Sequence, residues 1–327
     1  MIQSKDFAEK LAKTITNGKQ ACKSKSGVPL FFETSTMSRM FTNLFGIKDI
    51  TTFDNAFQIA TGGQGDELRK INSVASSALL PLLVFHPLFK KGNQSIKIDG
   101  IEYNRAFFEV RNNVIRRPSC VDVVLLSSVT KTLLFLESKM TEYMDDLAKE
   151  KEYGKGYMKV YSHPKISNAL KEGGIKCTEN LDGVALSTED ESRAYIEGIK
   201  QSFSHIIGIV RGPQNFHNED TSPKTYYDEY VKAYTDAKKC IYATIIFNPS
   251  DVVEFELEQF HAYHDLYKKI FSKGVEIVDA VKDLWPKGEG ISKEISIIDH
   301  PITYQEIFKD KCTYLDLLPK IKEFYRL

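Results

Sequence analysis

The chain has little that would tie it to an oxidising compartment, a membrane or a uniformly charged partner. Its 327 residues include five cysteines: Cys22, Cys120, Cys177, Cys240 and Cys312. They are odd in number, scattered and without a CxxC, which argues against a disulfide framework or a zinc cluster and suits a reducing cytoplasm. No apolar run reaches the ~18 residues that span a bilayer. Ser77–Phe89 comes nearest, and Pro81, His86 and Pro87 interrupt it. The opening MIQSKDFAEKLAK has no apolar signal core. Formal net charge is +0, which offers no uniform basic coat to nucleic acid but leaves room for a local basic groove balanced by acidic groups. GxGxxG and GxSxG are both absent, so a dinucleotide enzyme and a nucleophile-elbow hydrolase have little support. No serine has a recognisable histidine partner in the sequence.

What is present is apolar content, at 42%, enough for a sizeable core and against wholesale disorder. The most informative stretch is Ser119–Glu142, SCVDVVLLSSVTKTLLFLESKMTE. It holds two apolar runs, Val121–Leu126 and Leu133–Leu136, each too short for a typical helix. Ser127–Lys131 between them reads as a turn, so the pattern predicts a β-hairpin. Three charges break the apolar pattern: Asp122, Glu137 and Lys139. Residues i and i+2 share a face of a strand, so Glu137 and Lys139 point the same way. An antiparallel fold-back sets Asp122, near the start of one strand, beside the end of the other. Burying such charges is costly unless they pair or hold a metal. Two close carboxylates suit a hard cation such as Mg²⁺.

Asp122 followed by Glu137-Ser138-Lys139 resembles the PD-(D/E)XK nuclease superfamily, whose signature is an Asp on one strand and Glu/Asp-x-Lys on the next. Pro118 lies four residues before Asp122, so the "PD" pair is not contiguous. The resemblance covers roughly residues 65–250 and implies an α/β fold. That fold has a restriction-endonuclease-like core, a central mixed β-sheet flanked by helices, and extra N- and C-terminal helical sections. It implies catalytic roles for Asp122, Glu137 and Lys139. Asp122, Glu137 and the carbonyl of Ser138 would hold Mg²⁺, or Mn²⁺ in its place. Such nucleases often contribute a Glu from a first helix. Glu67 is the candidate here, with Glu109 as its rival. The helix after the signature often lends a polar side chain, and Gln201 is the choice.

The remaining chain fills in the frame. Residues 1–64 read as a helical section. Thr61–Glu67, TGGQGDE, is a glycine turn before a helix; it lacks the GK[ST] ending of a phosphate loop. Gly65–Phe89 follows as a helix with Ile71, Ala75 and Leu82 on one face. Ile96–Ile98 and Ala106–Val110 read as strands. Arg105, Arg111, Arg116 and Arg117 cluster around the second, and Arg111, Arg116 and Arg117 are candidates for phosphate contacts. Residues 140–190 read as a solvated insertion in which Tyr153, Tyr157 and Tyr161 alternate with lysines. Ser192–Val210 reads as an amphipathic helix in which His205 is taken as a satisfied core histidine. Ile241–Phe247 is a buried strand, and residues 251–327 form a mostly helical section.

The function expected from these features is Mg²⁺-dependent hydrolysis of DNA phosphodiesters, most simply as a restriction-type endonuclease in the cytoplasm, with no membrane partner. A homodimer would supply the two sites that a double-strand cut needs. The competing reading is a non-catalytic nucleic-acid-binding or interaction module, in which Glu137 and Lys139 form only an ion pair.

Overall fold

The computed structural model describes residues 76–89, 93–115, 118–214, 224–248 and 258–309, together with two paired strand fragments, Cys22–Lys23 and Pro29–Leu30. Helix α1 (Leu79–Phe85) leads into a small hairpin of β1 (Ile96–Ile98) and β2 (Ile101–Tyr103). Three longer strands follow: β3 (Arg105–Asn112), β4 (Ser119–Ser127) and β5 (Thr132–Lys139). Next come β6 (Glu150–Gly154), α2 (Pro164–Glu172), β7 (Ile175–Glu179) and β8 (Gly183–Thr188). Then α3 (Ile196–Arg211) and α4 (Lys224–Asp236) lead to β9 (Lys239–Ile246). Helices α5 (Glu258–Phe271) and α6 (Gly274–Leu284), strands β10 (Glu294–Ile297) and β11 (Ile302–Thr303), and helix α7 (Tyr304–Lys309) complete the described chain.

The main sheet runs β10-β9-β5-β4-β3, with β11 also on β9. β3, β4 and β5 form an antiparallel meander. β9 then joins β5 in parallel, and β10 and β11 join β9 in parallel. A parallel neighbour needs a crossover, and the chain between β5 and β9 supplies it. The architecture is therefore α/β with a mixed sheet flanked by helices. β5 and β9 are buried almost throughout, which is why their sequences run as continuous apolar blocks and do not alternate.

Helix α3 packs on β3, β4 and β9. Ile196, Ile199, Phe203, Ile206, Ile207 and Val210 recur at helical spacing and are buried, each worth about 1.5–3 kcal/mol on transfer from water. The helix stops at Gly212, whose φ of 90° is open to glycine and strained for other residues. On the opposite face Phe85 of α1 meets Tyr304 of α7, with ring centroids 6.4 Å apart.

Between β5 and α3 the chain builds a second, three-stranded antiparallel sheet in the order β6-β8-β7. Tyr153, Tyr157 and Tyr161 pack on one another at 5.8–6.0 Å, and Tyr161 is fully buried. This corrects the expectation of an unpatterned, solvated segment. Gly183 marks a close chain approach there: a Cβ on it would fall 1.9 Å from the Tyr153 carbonyl. The helix expected over Gly65–Phe89 also changes. Its described part is α1, starting after Ala78 and carrying Pro81 in its first turn; residues 65–75 lie outside the described residues.

Candidate active site

The hairpin places the signature residues at a fork in the sheet. The β4–β5 ladder runs from Ser127↔Thr132 to Val123↔Leu136. One step on, Asp122 stands opposite Glu137 by the same register. The Ser138 N–H then donates to the Asp122 side chain, to Oδ2 at 2.6 Å. On its other edge β5 stays paired with β9 as far as Lys139↔Ile246. β4 thus parts from β5 while β5 remains fixed, and a carboxylate takes the place of a backbone acceptor. The Ser138 hydroxyl bonds Tyr304 Oη at 2.8 Å on the opposite face.

Glu137 and Lys139 are 5% and 4% exposed, so their charges must be satisfied inside the protein. Lys139 Nζ donates to Glu137 Oε1 at 2.6 Å. His205 Nε2, from α3, lies 2.7 Å from Glu137 Oε2, and the other ring nitrogen, Nδ1, is 2.5 Å from Ser119 Oγ. Among the described residues, no donor meets Glu137 Oε2 in hydrogen-bonding alignment despite that short contact. Burial alone would raise the Glu137 carboxyl; Lys139 and His205 outweigh it and hold the group at about 2. Burial would likewise lower the Lys139 ammonium, but Glu137, followed by Tyr195 and two further acids, raises it well above its ordinary value. Lys139 is therefore a fixed cation that donates hydrogen bonds and does not act as a base.

Asp122 is partly exposed and behaves in the opposite way. Burial lifts its carboxyl well above the usual carboxylate range, and Glu137 and Glu109 lift it further. Lys139 and the Ser138 N–H pull downward without prevailing. The third acid has a register of its own. Phe108↔Val123 and Val110↔Val121 are ladder pairs, which sets Glu109 opposite Asp122. Glu109 is 5% exposed and adopts φ 51° inside a strand, a strained conformation for a residue with a Cβ, costing about 1–3 kcal/mol. Three carboxylates on three adjacent strands thus lie in one row across the sheet: Glu109, Asp122 and Glu137.

An unaligned carboxylate oxygen and an acid whose ionisation is opposed by burial and by like charges are the features a hard cation would relieve. Two carboxylates in register and a strand-end carbonyl at Ser138 fit that chemistry. Among the described residues no His, Cys, Asp and Glu side chains close into a group of three or more around a point. A cation would therefore depend on Asp122, Glu137, the Ser138 carbonyl and solvent oxygens.

Glu137 also lines a cleft of about 490 Å³, together with Ser119, Gln201 and His205. Gln201 is thus at the site, one helical turn before His205. Arg111 is buried opposite Cys120, two positions along β3 from Glu109, so it borders the row from inside the protein. Glu67, Arg116 and Arg117 lie outside the described residues. His205 is the contact that sequence reasoning missed. Its signal was present, as a histidine one helical turn after Gln201, the polar side chain already assigned to the site.

Comparison of the chain with protein-family models, with curated proteins and with solved structures finds no match.

Proposed function

We propose that this chain is a Mg²⁺-dependent nuclease that hydrolyses DNA phosphodiesters, with a PD-(D/E)XK-like core and a restriction-type role. The observation that carries the reading is the fork, where Asp122 takes the Ser138 N–H opposite the buried Glu137–Lys139 pair. The order α1, β3, the β4–β5 hairpin and α3 supports the reading, since the resemblance implies a helix, a strand, a hairpin and a helix in that order. Asp122, Glu137 and the Ser138 carbonyl would hold Mg²⁺ or Mn²⁺. A bound divalent ion supplies a water of lowered pKa and neutralises charge on the leaving oxygen.

The protein's own groups do the rest. Lys139, permanently charged and anchored on Glu137, orients the attacking water and faces the charge that develops on the phosphate. His205, from α3, stands 2.7 Å from the second Glu137 oxygen, with its other ring nitrogen on Ser119 Oγ. Glu109 is the extra carboxylate of the row. In-line positioning and charge neutralisation are most of what a phosphodiester requires. The test is incubation of the full chain with plasmid DNA, with and without Mg²⁺, with Lys139→Ala as control. Cleavage that needs both Mg²⁺ and Lys139 supports the reading, and cleavage indifferent to either removes it.

A second reading is a non-catalytic DNA-binding or interaction module with a degenerate nuclease fold. The observation in its favour is that Glu137 is already met by both Lys139 and His205. Under that reading the plasmid is bound and left intact.

A further inference from the structure

We infer that the cleft beside Glu137 takes one unstacked nucleotide, so that the substrate is met as a single strand or an extruded base in preference to an intact duplex. The inference rests on the nuclease reading for its substrate class. At about 490 Å³ the cleft is of small-ligand size. Its walls differ in chemistry. Val114, Ile115 and Pro118, from the β3–β4 connection, form an apolar side. Tyr157, from the insertion, forms an aromatic one. Its ring is stacked on Tyr161 at 5.8 Å and 14°, and its hydroxyl lies 3.1 Å from Ser204 Oγ, so the ring is held in place before any ligand arrives.

The polar lining includes Gln201, Lys200, Glu137 and His205. Gln201 lines the cleft, and its Oε1 is buried with no hydrogen-bond partner among the described residues. A carboxamide offers an acceptor and donors side by side, the complement of a nucleobase edge. Lys200 also lines the cleft. It is paired with Glu197 at 2.9 Å, and its ammonium lies 5.9 Å from the centre of each of the Tyr153 and Tyr157 rings, in reach of a backbone phosphate. Apolar and aromatic walls, one unsatisfied amide and a cation match a base with its phosphate. A base inside a duplex presents neither its faces nor its pairing edge, so it must leave the stack to fill such a site. Because Glu137 lines the same cleft, that nucleotide sits next to the reacting phosphate.

The experiment titrates the full chain, with Ca²⁺ replacing Mg²⁺ to suppress cutting, into a short fluorescein-labelled single strand and into the same strand annealed to its complement. Fluorescence anisotropy is read. The single strand binds at least about tenfold tighter than the duplex, and Tyr157→Ala and Gln201→Ala each weaken single-strand binding about tenfold. Gln201→Ala covers the case in which Tyr157→Ala loosens the insertion. Equal or tighter duplex binding, or single-strand binding untouched by Gln201→Ala, overturns the inference. Plasmid cleavage in Mg²⁺ is scored separately. Selective single-strand binding without cleavage sinks the nuclease reading and leaves the pocket standing; cleavage with duplex preference does the reverse.

Discussion

The backbone N–H of Ser138 donates to the Asp122 carboxylate at 2.6 Å, at the point where the ladder between β4 and β5 stops. That hydrogen bond makes Asp122 a structural acceptor and favours its charged form, while burial, Glu137 and Glu109 outweigh it and raise the carboxyl well above the usual range.

Asp122→Asn separates the two roles. The amide oxygen still accepts from Ser138, and one of three mutually repelling acids is removed. The variant should melt within about 2 °C of the wild type or slightly above it, because a poorly solvated acid among like charges has been replaced by a neutral group. Metal-dependent cleavage should fall at least about 100-fold, the scale on which single electrostatic groups act in such sites. Thermal melts and initial rates on one preparation check both.

Lys139→Ala should destabilise the protein as well as silence it. Both members of the Glu137–Lys139 pair are nearly buried, and removing one partner of such a pair costs about 3–5 kcal/mol. Glu137→Gln combined with Lys139→Met should recover most of that loss without recovering activity. A double-mutant cycle in denaturant measures the coupling; an additive result would mean that the pair is not a unit.

The hairpin was legible because β-periodicity is local. Val, Leu and Phe fill Val121–Leu126 and Leu133–Leu136, and period two alone puts Glu137 and Lys139 on one face. The interruption of an apolar run by Asp122 was legible for the same reason. The fork was not, since which N–H leaves the ladder depends on how two strands diverge in space. Nor was the contact of His205 with Glu137, made between residues 68 apart by the docking of α3. Glu109 could be named as a rival acid, but its place opposite Asp122 required the β3–β4 register. The tyrosines of the insertion misled because the glycines beside them argue against regular structure, whereas Gly156 allows the chain to pass close to Ile115.

Gly156→Ala probes that close approach directly. A Cβ at this position would lie 2.5 Å from Ile115 Cγ2, a methyl on a branched carbon with little freedom to move away. The substitution should cost about 1–3 kcal/mol and narrow the cleft, since Gly156 and Ile115 both line it. Ile115→Ala in the same chain should relieve the clash. Chemical denaturation of the two single variants and the double variant checks the sign.

A pH effect should arise away from the site. Burial lowers the His86 imidazole from 6.5 to about 4, against the opposing hydrogen bond of Nδ1 to the Leu83 carbonyl. The unfolded chain therefore binds a proton at a pH where the folded chain does not. Stability from this group is intact above 6.5 and drains away as pH falls through 4, by at most about 3 kcal/mol. His86→Asn should flatten the stability profile across that window. An unchanged slope in the variant would remove His86 as its source.

Whether the carboxylate row holds a hard cation decides between the catalytic and the non-catalytic reading. Mn²⁺ titrated into the full chain and followed by electron paramagnetic resonance reads this without any substrate. Bound Mn²⁺ should be seen in the wild type, with affinity weakened at least about tenfold in Asp122→Asn while its melt is preserved. No bound Mn²⁺ in the wild type, or equal binding by the variant, would contradict the catalytic reading.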